Sequence, residues 1–213
     1  MKCIIKEAPP AGFLAWRDTG DEDWAPGWAD LGGPPKVALH VALMEEQGFI
    51  CCYCGRRIRV ENSHVEHLVP RSKEPSLCLE YGNLLASCQK NIGKHHPRHC
   101  GMLKEDWYDA VLMVSPLNDD CEERFVFNAF GNIGPRNGSD AGARETIERL
   151  GLDINRLMAF RRKAIEGYLE ILDTMSDEDI ELLISRLWEK DNEGAFAPFC
   201  FSVVQVLSAF VRS

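Results

Sequence analysis

The spacing of hydrophobic residues divides the 213-residue chain into a part with short, irregular elements and a helical part. From Ser139 onward, apolar residues recur every three or four positions, which predicts helices. Before that point, short apolar segments are separated by Gly, Pro and Asn, which is typical of turns and short strands. The pattern therefore predicts an α+β protein, and it contains no internal repeat.

The first hundred residues carry mainly turn and strand signals. Residues 1–33 are rich in Pro, Gly and Trp, and a helix is predicted from about Pro34 to Gln47, with Gly48 just past its end. The segments "RRIRV" and "SHVEHLV" predict two short strands around a turn. The segment "EYGNLLASC" predicts the start of a helix, and a polar, basic loop follows it.

The second half predicts one hairpin and four helices. The segment "ERFVFNAFGNIGP" predicts a hairpin with its turn near Asn128. Helical periods follow in "SDAGARETIERLG", which ends at Gly151, in "DINRLMAFRRKAIEGYLEIL" and in "SDEDIELLISRLWEK", whose first turn is acidic. The last segment, "FCFSVVQVLSAF", is apolar nearly all round. It predicts either a buried helix or a helix that faces a partner.

Composition limits the class of protein. No apolar run has the length of a membrane span, and the start "MKCIIKEAPP" lacks the pattern of a signal peptide. A cytoplasmic location without membrane association is therefore expected. In that compartment the nine cysteines are expected to be thiols or metal ligands rather than disulfides.

Charge is distributed unevenly along the chain. The net charge of −9 argues against a non-specific nucleic-acid binder. Residues 51–104, however, carry nine Lys/Arg against four Asp/Glu, a net +5, which leaves −14 for the remainder; they also hold five of the six histidines. This segment predicts a local site for a polyanion, and chance clustering of surface charge is the alternative.

The cysteine spacing predicts a metal site. Two thiolates at Cys51 and Cys54 can reach one ion from a single tight turn, and tetrahedral zinc needs two more ligands. Cys88 and Cys100, which flank the basic loop, are the best candidates, and Cys121 is a further one. In the alternative interpretation the clustered cysteines are ordinary small buried side chains.

Four stretches, "CCYCGRRI", "SHVEHLVPRS", "YGNLLASC" and "HCGMLK", together resemble the HNH, or ββα-metal, nucleases. In that family a CxxC knuckle precedes a hairpin whose second strand ends in an acid–histidine pair followed by a proline, here Glu66-His67 and Pro70. An asparagine stands in an "NL" pair, here Asn83. A second cysteine pair closes the zinc site, and a lysine follows its last cysteine by four residues, as here in "CGMLK".

The stretches "EQGFICCYCGRRI", "EHLVPRS", "HCGMLK" and "ARETIERLGLDINRLMAFR" are similar to PtuB, the HNH subunit of Septu-type anti-phage systems. The similarity implies an ATPase partner of the PtuA type, a nucleic-acid substrate and, as beside some members, a reverse transcriptase with its retron DNA. It also implies three segments: residues 1–48, an N-terminal segment and lead-in helix; residues 49–110, the ββα-metal nuclease core; and residues 111–213, a hairpin followed by a helical region.

The resemblance assigns a role to each candidate residue. His67 would be the general base, Glu66 an oxygen ligand of a catalytic Mg²⁺ or Mn²⁺, and Asn83 the residue that orients His67 by hydrogen bonding and holds the loop. A structural zinc ion would be held by the four cysteines already named, Cys51, Cys54, Cys88 and Cys100. The phosphate backbone would be contacted by four basic residues, Arg71, Lys73, Lys94 and Arg98.

The chain departs from the family pattern after Cys88. Asn91 stands three residues later, where the family has a cysteine, and Gly101 stands where an asparagine usually follows the last cysteine. The further ligand of the catalytic ion is therefore open between His99 and Asn91.

Strand geometry leaves a second alternative open. In a regular strand His64 and Glu66 share one face and His67 lies on the other, so Glu66 and His67 converge only if the strand ends or bulges there. If the strand stays regular, His64 would be the companion of Glu66.

The predicted function is a metal-dependent endonuclease that acts as the effector of a defence complex. DNA is the favoured substrate, and RNA, including tRNA, remains open. The main alternative is a zinc-knuckle module that binds nucleic acid or protein without catalysis. A redox protein that uses Cys51 and Cys54 is a third interpretation.

Overall fold

The computed structural model describes residues 1–90, 93, 96–172 and 174–211. This part of the chain is a mixture of helices and two small sheets, as predicted. Its elements are α1 Ala11–Arg17, α2 Gly33–Glu46, β1 Ser63–His67, β2 Leu84–Cys88, α3 Gly101–Lys104, β3 Phe125–Phe127, β4 Ile133–Pro135, α4 Ala141–Leu150, α5 Asn155–Leu172, α6 Asp177–Leu187 and α7 Cys200–Leu207. None of the helices in this part combines the length and the apolar character that crossing a bilayer requires.

The first sheet joins β1 and β2 as antiparallel neighbours, with Ser63 opposite Cys88 and His67 opposite Leu84. The loop between the two strands contains two short 3₁₀ turns, Pro75–Leu77 and Tyr81–Asn83. Helix α2 packs on this sheet. A second loop then leads from β2 to the short helix α3.

The strand pairing corrects two predictions. The "RRIRV" segment does not pair with β1, since its one ladder contact is an isolated bridge between Arg57 and Ile50. Its place is taken by Leu84–Cys88, which the sequence pattern assigned to a helix. All five residues of this strand are buried, so the alternation that identifies a half-exposed strand is missing.

The second sheet is the predicted hairpin of β3 and β4, with Phe127 opposite Ile133. The side chain of Asn128 closes its turn, because Oδ1 accepts hydrogen bonds from the amides of Phe130 and Asn132, each at 3.1 Å. The predicted turn near Asn128 is therefore confirmed.

The helix ends follow local capping chemistry. Asp140 caps α4 by accepting from the amide of Ala143 at 2.9 Å, and α4 ends at Gly151, whose φ of 56° is left-handed. Ser176 and Asp179 form a reciprocal capping box at the start of α6. These short-range signals were visible in the sequence.

Helix α7 is buried along its length, and only Gln205 of its eight residues is partly exposed. It packs against α5, α6 and β3. The partner-facing interpretation of this apolar helix is therefore wrong, and the buried interpretation is confirmed. The main hydrophobic core also draws on all three predicted segments, through residues such as Leu39, Leu84 and Leu157.

Candidate active site and metal centre

Four buried thiols converge from three parts of the chain. The Sγ atoms of Cys51, Cys54, Cys88 and Cys100 all lie within 4.8 Å of one another. The first two come from the turn after Ile50, the third ends β2 and the fourth directly precedes α3. The cluster therefore fastens the knuckle, the sheet and the short helix together.

The spacing of the sulfurs fits a tetrahedral metal ion. Four sulfurs at about 2.3 Å from a zinc ion lie about 3.8 Å from one another. The Sγ atoms of Cys54 and Cys88 are 3.8 Å apart, and all four thiols are free of disulfides. The cluster can therefore bind a metal such as zinc.

The protonation of the cluster supports the same conclusion. Burial opposes ionisation of Cys51, yet the facing thiols of Cys100, Cys52 and Cys54 hold its pKa well below the usual range. Burial raises the pKa of Cys100 well above that range. The protein alone thus favours a thiolate at Cys51 and opposes one at Cys100, whereas a bound cation would favour both as thiolates.

Two further predicted metal ligands, Cys121 and His99, do not lie at the sites for which they were candidates. Cys121 is buried, but its Sγ faces the backbone oxygen of Pro116 at 4.0 Å and not the cluster. His99, proposed as a ligand of the catalytic ion, lies against the cysteines instead, with Nδ1 3.1 Å from Sγ of Cys100. The reason is its position directly before Cys100, where both residues are fully buried. The alternative ligand Asn91 lies outside the described residues.

Glu66 is a buried carboxylate with an ordered environment. It is 7% exposed; Oε1 accepts a hydrogen bond from the Tyr53 hydroxyl at 3.2 Å and pairs with Nζ of Lys104 at 2.9 Å. Oε2 lies 3.4 Å from Nε2 of His64 on the same strand face. Burial alone would raise the pKa of Glu66, but His64 and Lys104 hold it below its usual value, so the group is charged at neutral pH.

Lys104 connects both residues of the acid–histidine pair. It is 2% exposed, and its Nζ also donates to the backbone oxygen of His67 at 2.9 Å. The lysine is held by α3, which begins directly after Cys100. The cysteine cluster therefore fixes the position of the Lys104 ammonium group, which pairs with Glu66.

The imidazole of His67 has a defined orientation. Nε2 lies 3.0 Å from the backbone oxygen of Cys78, and the ring meets Trp28 edge-on with centroids 4.4 Å apart. A carbonyl oxygen only accepts, so Nε2 carries the proton and Nδ1 keeps its lone pair. Burial lowers the pKa of His67 below its ordinary value, which favours this neutral form at neutral pH.

Asn83 organises the loop before the second strand. Its Oδ1 accepts from the amide of Val69 at 2.8 Å, and its Nδ2 donates to the oxygens of Val69 at 3.0 Å and Leu77 at 3.2 Å. The hydrogen bonds of Asn83 thus go to the backbone and not to His67. Asn83 holds the loop that carries Cys78, whose carbonyl orients His67.

Glu66 and His67 both border one open cleft of about 520 Å³ at the end of β1. Arg71 lines the same cleft. The other predicted phosphate contacts differ: Nζ of Lys73 donates to the backbone oxygen of Tyr108 at 2.6 Å, and Arg98 pairs with Glu105 at 2.7 Å. Lys94 lies outside the described residues.

A second open cleft, of about 480 Å³, lies beside the first and shares Val65 with it. It is lined by an aromatic ring, Trp28, and by the basic residues Lys36 and Lys90. The guanidinium of Arg71 lies 5.6 Å from the centre of the Trp28 ring, which places this ring between the two clefts. Neither Trp28 nor Lys36 was predicted as a site residue, because both are distant in sequence from the cysteines.

Two proteins of known description are similar to the chain. It is 32% identical over 160 residues to the "Retron Vc95 putative HNH endonuclease" of Vibrio cholerae serotype O1 biovar El Tor. The aligned region covers 72% of this chain and 75% of the relative. It is 38% identical over 64 residues to the "Septu protein PtuB" of Bacillus thuringiensis. This aligned region covers 29% of the chain and 24% of that protein. No protein-family model matches the sequence.

Proposed function

The chain belongs to the HNH endonucleases of anti-phage defence, and from this premise we propose that it hydrolyses phosphodiester bonds of a nucleic acid at the Glu66–His67 cleft. DNA is the favoured substrate, with RNA as the alternative. The catalysis would depend on a divalent ion, Mg²⁺ or Mn²⁺. The pair β1–β2 followed by α3 would be the ββα-metal unit, and the four cysteines would hold a structural zinc ion.

His67 would act as the general base. Its Nδ1 is the unprotonated nitrogen and lies on the ring that borders the cleft, so it can accept a proton from an attacking water. The carbonyl of Cys78 would stabilise the imidazolium that forms, because it keeps its hydrogen bond from Nε2. Asn83 would act as a positioning residue through the loop that carries this carbonyl.

Glu66 would hold the divalent ion. A bound ion supplies charge neutralisation at the phosphate and stabilises the leaving oxygen. The residues around Glu66 fit such an ion, since Tyr53 and Lys104 occupy Oε1, and the described residues offer Oε2 no donor closer than Nε2 of His64 at 3.4 Å. Hard carboxylate oxygens are the ligands that Mg²⁺ and Mn²⁺ prefer.

The two clefts offer a path for the strand. Arg71 stands beside the reacting groups, and Lys36 and Lys90 line the neighbouring cleft. Their charges would pair with successive phosphates, while Trp28 offers an aromatic face between the clefts.

A partner would bring the substrate to this site. The chain as a whole carries −9, which disfavours independent binding to a polyanion. The similarity to PtuB supports an ATPase subunit of the PtuA type as that partner. The retron name of the Vibrio relative supports a reverse transcriptase and its DNA as further components.

This proposal is supported by the position of Glu66 and His67 at one cleft, with the tautomer of His67 fixed by Cys78. The test is to incubate the chain, alone and with a co-purified ATPase partner, with plasmid, single-stranded DNA and tRNA in Mg²⁺ or Mn²⁺. We expect cutting that requires the ion and is stronger with the partner. Binding of these substrates without any cutting under all conditions would instead support the non-catalytic zinc-knuckle module.

A further inference from the structure

We infer that His64 is, together with Glu66, a protein ligand of the divalent ion. The inference rests on the proposed function, because it concerns the ion that the proposed reaction uses. It assigns the second protein ligand to the strand that carries Glu66 and not to the loop after β2.

The first observation is the separation of the two ligand atoms. Nε2 of His64 lies 3.4 Å from Oε2 of Glu66, which is longer than a normal N–H···O hydrogen bond. Two adjacent ligands at about 2.1 Å from one ion lie about 3.0 Å apart. The spacing is therefore closer to that of two ligands of one ion than to that of a strong direct ion pair.

The second observation is the approach of helix α3 to these atoms. A Cβ on Gly101 would overlap Oε2 of Glu66 and would lie 2.9 Å from Nε2 of His64. Helix α3 thus presents bare backbone to both ligand atoms. Any other residue at this position would displace the two side chains from each other, so glycine preserves their pairing.

The third observation concerns which atoms of the two side chains remain available to bind an ion. Oε1 of Glu66 is occupied by Tyr53 and Lys104, whereas the described residues offer Oε2 no donor closer than Nε2 of His64 at 3.4 Å. Nδ1 of His64 is buried and has no hydrogen-bond partner in the same part of the chain. With its proton on Nδ1, His64 keeps the lone pair of Nε2, and this nitrogen can ligate.

Both ligands also stand on a rigid element. In the β1–β2 ladder His64 pairs with Ser87 and Glu66 with Leu85. The two side chains follow the two-residue repeat of a regular strand, so their separation is set by the backbone. One imidazole and one carboxylate favour Mn²⁺, Co²⁺ or Ni²⁺ over Mg²⁺, because nitrogen ligands suit transition ions.

The test is Mn²⁺ binding by the full-length, zinc-loaded chain without substrate, followed by electron paramagnetic resonance. In the wild type we expect pulsed spectra to show ¹⁴N coupling from one imidazole. His64→Ala should remove this coupling and weaken Mn²⁺ binding by about tenfold or more. His67→Ala, which removes the neighbouring imidazole, should keep the ¹⁴N coupling, and His64→Gln serves as a second variant of closer size.

The outcomes separate the inference from the proposed function. Retention of the ¹⁴N coupling in His64→Ala, or its absence from the Mn²⁺-loaded wild type, would overturn the role of His64. If Glu66→Gln weakens Mn²⁺ binding while His64→Ala does not, the nuclease proposal stands and His64 is only an ion-pair partner of Glu66. A zinc content of about one per chain confirms that each variant is folded.

Discussion

Nε2 of His67 donates a hydrogen bond to the backbone oxygen of Cys78, 3.0 Å away and eleven residues along the chain. The contact joins the end of β1 to the loop that leads into β2. It defines which ring nitrogen carries the proton, and it leaves Nδ1 free to act as a base. The chemistry of the site therefore depends on the conformation of this loop.

The loop depends in turn on Asn83. Asn83→Ala removes three hydrogen bonds to the backbone of Val69 and Leu77, and we expect a loss of about 1–3 kcal/mol in the free energy of unfolding. Cutting should fall as well, although Asn83 does not contact His67. Denaturant titration and a cleavage assay measure the two effects.

Asn83→Asp serves as the matched variant, because it keeps the acceptor for the amide of Val69 and loses both donor bonds. We expect a loss of stability at least as large as that of Asn83→Ala, because a buried carboxylate oxygen would face the carbonyls of Val69 and Leu77. Wild-type stability in both variants would show that the loop is held by other contacts.

Removal of the structural metal should unfold the nuclease core. Cys54→Ser deletes one of the four clustered thiols, so zinc content should fall well below the one ion per chain expected for the wild type. Elemental analysis and thermal unfolding report the change. Cys121→Ser is the control, since this cysteine is equally buried but lies outside the cluster; equal zinc loss in both variants would refute the assignment of the cluster.

Gly101 is predicted to tolerate no side chain. A Cβ at this position overlaps Oε2 of Glu66, so Gly101→Ala should abolish Mn²⁺ binding and cutting. Gly82→Ala is the matched control, because a Cβ at Gly82 would have no neighbour within 4 Å. Isothermal titration with Mn²⁺ compares the two variants, and equal affinity would show that the ion binds elsewhere.

The cap of α4 predicts a dependence of stability on pH. Arg124 lowers the pKa of Asp140 to about 2, below its usual value of 3.8. A depressed pKa means that the charged pair stabilises the fold above the usual value, and that this contribution is lost as the pH falls toward 2. Asp140→Asn isolates the effect, since asparagine also caps helices.

The measurement is the difference in unfolding free energy between the wild type and Asp140→Asn across that pH range. We expect a constant difference above about pH 5 that shrinks as the pH falls below 3.8. A difference that does not change with pH would mean that the Arg124 pair adds no stability.

The cysteine cluster was predictable in part from local spacing, whereas the acid–histidine pair was recognised through the resemblance to HNH nucleases, and its role stays a prediction. A CxxC knuckle can serve one ion from a single turn, and the caps of α4 and α6 depend on residues three positions apart. The pairing of β1 was not predictable in the same way. Its partner is buried on both faces, and such a segment has no period that separates strand from helix.

Long-range contacts explain the other differences. Trp28 reaches His67 from a segment that is separated from it by α2, and sequence spacing carries no signal for such a contact. In α5, Arg161 is 1% exposed because its guanidinium donates to the carbonyls of Gly131 and Leu152, although its charge predicts a surface position. When the hydrogen-bond partners of a polar side chain lie on a distant loop, the sequence of its own helix does not show that the side chain is buried.

We propose that His67 removes a proton from water during phosphodiester cleavage. The most direct measurement is single-turnover cutting of a defined nucleic acid by the partner-loaded wild type and by His67→Ala, with His96→Ala as a surface-histidine control that contacts Arg156. General-base catalysis predicts that His67→Ala loses about 10²–10⁴-fold in rate while Mn²⁺ affinity and zinc content are unchanged. Cutting at the wild-type rate by His67→Ala would show that another group activates the attacking water.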